Sequence, residues 1–120
     1  MKYLVADDSR LARRVLIKAL LAHTDETNIF QASNGLEALK MTLKEKPNVV
    51  FLDLTMPEMD GYTALTKLQD INPDIKVVVV SADVQEGAKE KVLSLGAKFH
   101  IAKPINPQKL EEVLEALENE

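Results

Sequence analysis

The stretch VVFLDLTMPEMDG, residues 49–61, decides the fold because it joins an apolar run to a carboxylate and then to a turn. The four residues before Asp53 are Val, Val, Phe and Leu, with no polar residue among them. Apolar runs that do not alternate with polar residues are typical of strands covered on both faces, as in a parallel sheet between helices. Asp53 therefore stands at the end of a predicted buried strand.

Similar short runs occur at four other places, and a helical pattern follows each of them. The predicted strands cover 3–6, 28–32, 49–52, 77–80 and 99–102. Apolar residues at helical spacing predict five faces that pack on the sheet: Leu11, Val15, Leu16 and Ala19; Leu36, Leu39 and Leu43; Leu65, Leu68 and Ile71; Ala88, Val92 and Leu95; and Leu110, Val113, Leu114 and Leu117. This alternation predicts an α/β fold, a doubly wound five-stranded parallel sheet with five helices.

Length and composition exclude several classes of protein. The chain has 120 residues, 46% of them hydrophobic, which suits one domain with its own core. The net charge of −4 argues against binding to nucleic acid or to an anionic membrane. The absence of cysteine removes disulfides and thiolate metal sites. Neither a membrane-spanning run nor a signal peptide is recognised, so a cytoplasmic location is expected.

Polar residues follow the predicted strands at the points where they end. Asp7 and Asp8 follow the first, Asp53 the third, Ser81 the fourth and Lys103 the fifth. The carboxyl ends of parallel strands lie on one edge of the sheet, where ligands of such folds bind. We therefore expect these five side chains to converge.

Three carboxylates in one crevice predict a bound cation. Two unit charges about 4 Å apart repel by roughly 4 kcal/mol at an effective dielectric of 20. Oxygen ligands without histidine or cysteine favour Mg²⁺, or Mn²⁺, over zinc. Asp8 and Asp53 are the expected direct ligands, Asp7 acts through water, and the backbone carbonyl of Thr55 completes the set.

Each of these residues also has a simpler interpretation. Asp8 or Ser9 could cap the first helix, and Ser9 is the expected cap, because two adjacent acids, Asp7 and Asp8, exceed what a cap requires. Asp53 could bond to its own turn. Ser81 could cap the fourth helix or simply end a strand. Lys103 could be a solvated lysine, although it precedes Pro104, and X-Pro bonds are the ones that adopt the cis form. A basic set on the first helix is interpreted as a solvated face, with partner docking as the alternative: Arg10, Arg13, Arg14 and Lys18.

Four motifs resemble those of response-regulator receiver domains, in order and from end to end of the chain. They are VADDS (5–9), VVFLDLTMPEMDGY (49–62), VVVSA (78–82) and GAKFHIAKPI (96–105). The resemblance implies a flavodoxin-like sheet with strand order 2-1-3-4-5. It also implies a single receiver domain over residues 1–120, without an output domain.

The resemblance also assigns chemistry to particular residues. Asp53 matches the phosphoacceptor, which takes a phosphoryl group from a sensor histidine kinase or a histidine phosphotransfer protein. Asp7 and Asp8 match the acidic pair that binds Mg²⁺. Ser81 matches the hydroxyl that bonds to the phosphoryl group, and Lys103 matches the amine that pairs with it.

The implied function is that of a signalling switch rather than a turnover enzyme. Phosphorylation would change the surface of the fourth helix, fifth strand and fifth helix so that it binds a downstream effector protein. A stand-alone, monomeric regulator similar to chemotaxis proteins is expected. A phosphorelay intermediate and a receiver excised from a larger regulator remain alternatives.

Two departures from the family pattern stand out. The position that usually carries the Tyr or Phe of the aromatic switch holds His100, with Phe99 beside it. Neighbouring strand residues point to opposite faces, so only one of these two side chains can occupy the switch cavity. His100 is the better candidate because of its distance from Lys103, three residues further on. Thr55 and Asp83 occupy the variable positions that tune phosphate lifetime in the family.

Two other classes of protein share parts of the pattern. Phosphatases of the haloacid dehalogenase type also use a strand-end aspartate, but on their first strand and with a second aspartate where this chain has Thr55. Flavodoxins share the architecture, but their first loop is rich in Ser and Thr, whereas this chain has ADDSRLA at residues 6–12.

Overall fold

A computed structural model describes residues 1–56, 58–82 and 87–119, in which strands and helices alternate. The strands are β1 (Tyr3–Ala6), β2 (Ile29–Ala32), β3 (Val49–Asp53), β4 (Lys76–Ser81) and β5 (Phe99–Ala102). The helices are α1 (Arg10–Leu20), α2 (Gly35–Glu45), α3 (Gly61–Ile71), α4 (Ala88–Ser94) and α5 (Pro107–Glu118). None of these described helices is long and apolar enough to cross a lipid bilayer.

The five described strands form one parallel sheet in the order β2-β1-β3-β4-β5, which confirms the predicted order 2-1-3-4-5. The predicted strand bounds agree with the observed ones to within one residue at each end. Strands β1 and β3 are buried at every position. Their continuous apolar runs thus reflect burial on both faces of the sheet.

Two hydrophobic cores cover the two faces of the sheet. One lies beneath α2, α3 and α4 and includes Leu65, Leu68 and Val92. The other lies beneath α1 and α5, where the predicted face of α5 is confirmed because all four of its residues are buried: Leu110, Val113, Leu114 and Leu117.

The predicted face of α1 is wrong for two of its residues. Leu11 is 72% exposed and Val15 is 48% exposed. The helix instead packs through Leu16 and Leu20, which are spaced i, i+4 and are buried. Leu11 and Val15 line a groove beside Ile105 in the β5–α5 connection.

The predicted face of α2 is also wrong at its two ends. Leu36 and Leu43 are exposed, whereas Ala38 and Thr42 are buried against the sheet. The Thr42 hydroxyl donates to the carbonyl of Ala38 at 2.7 Å, so its polar group is satisfied inside the helix. Small residues let this helix lie close to the sheet, and a search for large apolar residues overlooks them.

Polar side chains cap the first turn of four of the five described helices. Ser9 accepts a hydrogen bond from the backbone N–H of Ala12 at 3.2 Å, which confirms its predicted role as the cap of α1. Three other caps follow the same rule: Asn34 for α2, Asp60 for α3 and Asn106 for α5.

A histidine after α1 joins that helix to α5. His23 Nε2 lies 2.8 Å from a carboxylate oxygen of Glu111, and Nδ1 contacts Glu118. Burial alone would lower the pKa of His23, but the hydrogen bonds and negative charges of Glu111 and Glu118 together raise it above its usual value. Both ring nitrogens face carboxylates, and only the doubly protonated ring can donate to both.

We expect this contact to make stability depend on pH. The pKa of His23 is raised on folding, so the stabilisation is fully present below about pH 6.5, the usual histidine pKa, and is lost as pH rises through the folded pKa. Denaturant unfolding of the wild-type protein and His23→Gln between pH 5.5 and about 8.5 measures the effect. Any contribution of His100 cancels in the difference between the two proteins. A difference that stays constant across this range would show that His23 is not the titrating group.

Candidate functional site

The register of the sheet brings the predicted site residues to one edge. Asp53 is paired with Val80, so Ser81 and Asp53 end neighbouring strands at nearly the same level. Asp7 follows the last paired residue of β1, and Lys103 follows the last residue of β5. Asp7, Asp53 and Ser81 are buried, whereas Asp8 and Thr55 are exposed. The predicted convergence at the carboxyl ends of the strands is thus present.

Lys103 connects the two buried carboxylates. Its Nζ lies 2.8 Å from Oδ2 of Asp7 and 3.6 Å from Oδ2 of Asp53. Its backbone N–H donates to the carbonyl of Ser81 at 2.9 Å, and the Lys103–Pro104 peptide is cis. The structure therefore rejects the interpretation of Lys103 as an ordinary solvated lysine.

The electrostatics of the site leave Asp53 incompletely compensated. Burial raises the pKa of Asp53 above its usual range, the negative charge of Asp7 raises it further, and the ammonium group of Lys103 only partly offsets these effects. Burial would lower the pKa of Lys103, but the hydrogen bond to Asp7 and the charges of Asp53 and Asp7 raise it. Lys103 thus stays protonated, and the site still favours a further positive charge.

The three carboxylates meet a distance test for a divalent cation. One oxygen from each of Asp7, Asp8 and Asp53 lies within 4.8 Å of the others. The donors are all oxygen, which fits Mg²⁺ or Mn²⁺ better than zinc. Asp8 is exposed, and a Mg²⁺ ion that retains several waters needs a solvent-facing side.

Thr55 lies at the entrance to the site and bonds to the acceptor residue. Its backbone N–H and its hydroxyl lie 3.3 Å and 3.4 Å from Oδ1 of Asp53. Asp53 therefore does make the local turn contact that the simpler interpretation suggested, in addition to facing Lys103. The predicted role of the Thr55 carbonyl as a metal ligand stays a prediction.

Gly61 holds the loop after Asp53 against the end of β3. Its N–H donates to the carbonyl of Leu54 at 2.9 Å, and a Cβ atom at this position would lie 2.8 Å from the carbonyl oxygen of Asp53. Only glycine fits here without moving the backbone beside the acceptor. The sequence predicts only a turn at Asp60 and Gly61 and no role at the site, although a glycine directly after a helix-capping aspartate is the signal for such a role.

Ser81 on β4 and the neighbouring residues Phe99 and His100 on β5 occupy different positions relative to the two faces of the sheet. Ser81 does not cap α4, because that helix begins after Gly87. His100 is paired with Val79 and Phe99 with Val78, so their side chains lie on opposite faces. Phe99 packs against the core beneath α1 and α5, which leaves His100 on the α4 side. Asp83 lies outside the described residues.

A basic residue that was predicted to be solvated belongs to the site's surroundings. Arg13 Nη1 donates to the backbone carbonyl of Asp7 at 2.7 Å, and its Nε donates to Oε1 of Gln31 at 2.9 Å. Arg10, Arg14 and Lys18 are exposed, as a solvated helix face requires.

The fold and the site together define a doubly wound α/β protein with an acidic cluster and a lysine at the carboxyl ends of its strands. Residues 3–115 match the family model of the response regulator receiver domain, so the chain belongs to that family. Receiver domains are phosphoacceptor signalling modules, not conventional turnover enzymes. The match also removes the dehalogenase-type and flavodoxin interpretations.

Individual relatives resemble the chain over nearly its whole length. It is 41% identical to the chemotaxis protein CheY of Listeria monocytogenes, covering 98% of this chain and 96% of that protein. It is 33% identical to sporulation initiation phosphotransferase F of Bacillus subtilis, covering 97% and 90%. Among solved structures, a chain of the CheX–CheY–BeF3–Mg²⁺ complex of Borrelia burgdorferi is 26% identical, with a TM-score of 0.88 over 98% of this chain and 88% of that one.

Proposed function

We propose that the protein is a stand-alone switch in which Asp53 accepts a phosphoryl group from a phosphohistidine on a sensor histidine kinase or a histidine phosphotransfer protein. One observation carries this proposal. Asp53 is a buried strand-end carboxylate with a raised pKa, and it shares the ammonium group of Lys103 with a second buried carboxylate, Asp7. Burying a charged carboxylate costs folding free energy, and titratable groups whose pKa is shifted in this way cluster at functional sites.

The side chains of the chain divide the chemistry between them. A carboxylate oxygen of Asp53 forms a bond to phosphorus while the P–N bond of the donor breaks and its electron pair returns to the imidazole. Catalysis of such transfers depends mainly on positioning and on compensating charge on the phosphoryl oxygens. Lys103 compensates charge on the side of Asp53 Oδ2, and the Thr55 N–H orients Oδ1. The Ser81 hydroxyl is proposed to bond to the transferred group.

A divalent cation is proposed to complete the site. Asp8 and Asp53 would hold Mg²⁺ or Mn²⁺ directly, Asp7 would act through water, and the Thr55 carbonyl would supply a further oxygen. When bound, the cation would neutralise charge on the phosphoryl oxygens. The oxygen-only donor set and its 4.8 Å spread support this assignment.

Phosphorylation is proposed to change the surface formed by α4, β5 and α5. Lys103 is already bonded through its N–H to the carbonyl of Ser81, so a shift at either residue affects the ends of both β4 and β5. Movement of Ser81 toward the phosphoryl group would free space on the α4 side, where His100 lies. An altered position of His100 would then bias the surface toward a form that binds a downstream effector.

A groove beside the site is proposed as the docking surface for the phosphodonor protein. Leu11 and Val15 on α1 and Pro104 and Ile105 after β5 line it together with Lys103. A docking role would explain why these two exposed positions of α1 carry apolar side chains although they do not contribute to the core. Their position next to Lys103 would bring a phosphohistidine toward Asp53.

The biological setting is proposed from the relatives. The chain covers 96% of the length of the Listeria chemotaxis protein, so a regulator of that kind, formed by a receiver domain over residues 1–120, is the first candidate. A monomer in the cytoplasm that contacts neither nucleic acid nor membrane is the proposed state. The similarity to a sporulation phosphotransferase keeps a phosphorelay intermediate as the second candidate, and a receiver from a larger regulator as the third.

Acetyl phosphate tests the proposal without a partner protein. We expect incubation with acetyl phosphate and Mg²⁺ to add one phosphoryl group to the intact mass, and Mn²⁺ to replace Mg²⁺. Removal of the metal with EDTA should reduce the labelling by at least about tenfold, because the acidic cluster then repels the anionic donor. Equal labelling with and without EDTA would overturn the metal assignment. No labelling under any condition would contradict the assignment of Asp53 as acceptor.

A further inference from the structure

Segment 7–9, which carries the acidic pair, is held in place by hydrogen bonds from three directions. The N–H of Asp7 donates to the carbonyl of Ala32 on β2 at 3.0 Å. The N–H of Ser9 donates to Oδ1 of Asp7 at 2.9 Å. The carbonyl of Asp7 accepts from Nη1 of Arg13 at 2.7 Å, which is short, as expected for a charged donor.

Arg13 is itself held by the edge of the sheet. Its Nε donates to Oε1 of Gln31 on β2 at 2.9 Å, so the guanidinium joins α1 both to β2 and to the residue that follows β1. The two bonds use different nitrogens of one planar group, which fixes the direction of each. Lysine, with a single ammonium on a flexible stem, lacks this geometry.

We infer that Arg13 is a positioning residue for the metal site, because it fixes the peptide plane between Asp7 and Asp8. The carbonyl that Arg13 holds belongs to that plane, and a peptide is rigid and planar. Fixing its oxygen therefore fixes the direction in which the backbone leaves for Asp8. The carboxylate of Asp8 is exposed, so it depends on this backbone to face Asp53. The inference rests on the proposed metal-binding function.

A simple electrostatic effect of Arg13 predicts the opposite result. A guanidinium close to the acidic pair repels a divalent cation, so its removal should tighten Mg²⁺ binding if charge alone mattered. Loss of a residue that orients metal ligands instead weakens binding, commonly by 10- to 100-fold in other proteins. The sign of the change in affinity therefore separates positioning from charge.

Calorimetric titration with Mg²⁺ alone tests the inference. We expect Arg13→Ala and Arg13→Lys each to weaken Mg²⁺ binding by about tenfold, and Gln31→Ala by about two- to threefold. Arg14→Ala serves as the matched control. Arg14 is the next residue along the helix and its side chain is exposed, so this variant loses the same charge as Arg13→Ala. The control should change affinity by less than about twofold. Unchanged or tighter binding in Arg13→Ala would overturn the inference.

Phosphorylation kinetics add a second readout that a general loss of stability would not produce. In Arg13→Ala the Mg²⁺ concentration that gives half-maximal labelling by acetyl phosphate should rise about tenfold, while the rate at saturating Mg²⁺ stays within about twofold of wild type. An equal loss of rate at every Mg²⁺ concentration would show that Arg13 does not act through the metal site.

Amide exchange in metal-free protein separates this inference from the proposed function. Arg13→Ala should speed exchange at the N–H of Ser9 by at least about fivefold, while amides of β3 remain as protected as in wild type. Unchanged Ser9 exchange would overturn the positioning role. Failure of the wild-type protein to bind Mg²⁺ would instead overturn the metal part of the proposed function, and with it any positioning role toward a metal.

Discussion

Asp53→Asn is expected to abolish phosphoryl uptake and, without metal, to make the protein more stable. Uptake is lost because an amide is a poor nucleophile, and the neighbouring carboxylates, Asp7 and Asp8, are assigned to the cation rather than to the phosphoryl group. Stability rises because burial and the charge of Asp7 raise the pKa of Asp53, so the ionised side chain costs folding free energy. The sign follows from linkage. When folding raises the pKa of a carboxyl group, the protein loses stability as pH rises from the pKa of the unfolded state through that of the folded state.

Two measurements on the same variant check this expectation. Intact mass after incubation with acetyl phosphate and Mg²⁺ reports uptake, and thermal unfolding at pH 7 in EDTA reports stability. Saturating Mg²⁺ should reduce the difference in stability between Asp53→Asn and the wild-type protein, because Mg²⁺ stabilises the wild-type protein by binding to its folded state. A gain in stability also excludes misfolding as the cause of inactivity.

Asp60→Asn is the matched control for this variant. Asp60 is exposed and caps α3 by accepting from the N–H of Thr63, a role that asparagine also fills. We expect this control to be labelled like the wild-type protein. Labelling of Asp53→Asn to the same extent as the control would place the acceptor at another residue.

The sheet could be predicted from the sequence because each strand carries its own signal. A strand buried on both faces needs apolar residues at every position, as in the run before Asp53, and this requirement is local. Strand order contains no such local signal and came from the family resemblance. The buried faces of α1 and α2 were harder to predict. On α1, the apolar residues Leu11 and Val15 line a groove instead of packing on the sheet. On α2, the small residue Ala38 packs on the sheet in place of a large apolar residue.

The positions of the site residues could be predicted, but their contacts could not. The rule that parallel strands end at one edge was enough to bring Asp7, Asp53 and Lys103 together. Which carboxylate receives the ammonium group depends on side-chain geometry across residues distant in sequence. Arg13 was missed for a related reason, since its partner is a backbone carbonyl, and any residue type could supply one.

Lys103→Ala is expected to slow phosphoryl transfer by roughly 100-fold at saturating Mg²⁺. The estimate follows from the loss observed in other enzymes when one group that stabilises transition-state charge is removed. Both gain and loss of the phosphoryl group should slow, because both pass through a transition state with charge on the same oxygens. Mg²⁺ binding should persist or tighten, since the ammonium group no longer competes for Oδ2 of Asp7.

Without metal, the same variant should lose stability, in contrast to Asp53→Asn. Removal of Lys103 leaves Asp7 and Asp53 buried near each other without their shared ammonium, at a cost on the order of 2 kcal/mol. Saturating Mg²⁺ should recover most of this loss, because a cation again lies between the carboxylates. Thermal unfolding in EDTA and in Mg²⁺ measures both values.

Lys109→Ala provides the control, because Lys109 is an exposed lysine in the first turn of α5. It should match the wild-type protein in labelling rate, and its stability should change by less than about 0.5 kcal/mol. In EDTA, Lys103→Ala should lower stability and Asp53→Asn should raise it, and Mg²⁺ should reduce both differences from wild type. This combination is expected only if excess negative charge at the site determines its contribution to stability. A wild-type labelling rate in Lys103→Ala would remove the ammonium group from the transfer step and leave charge compensation to the cation and the Thr55 N–H.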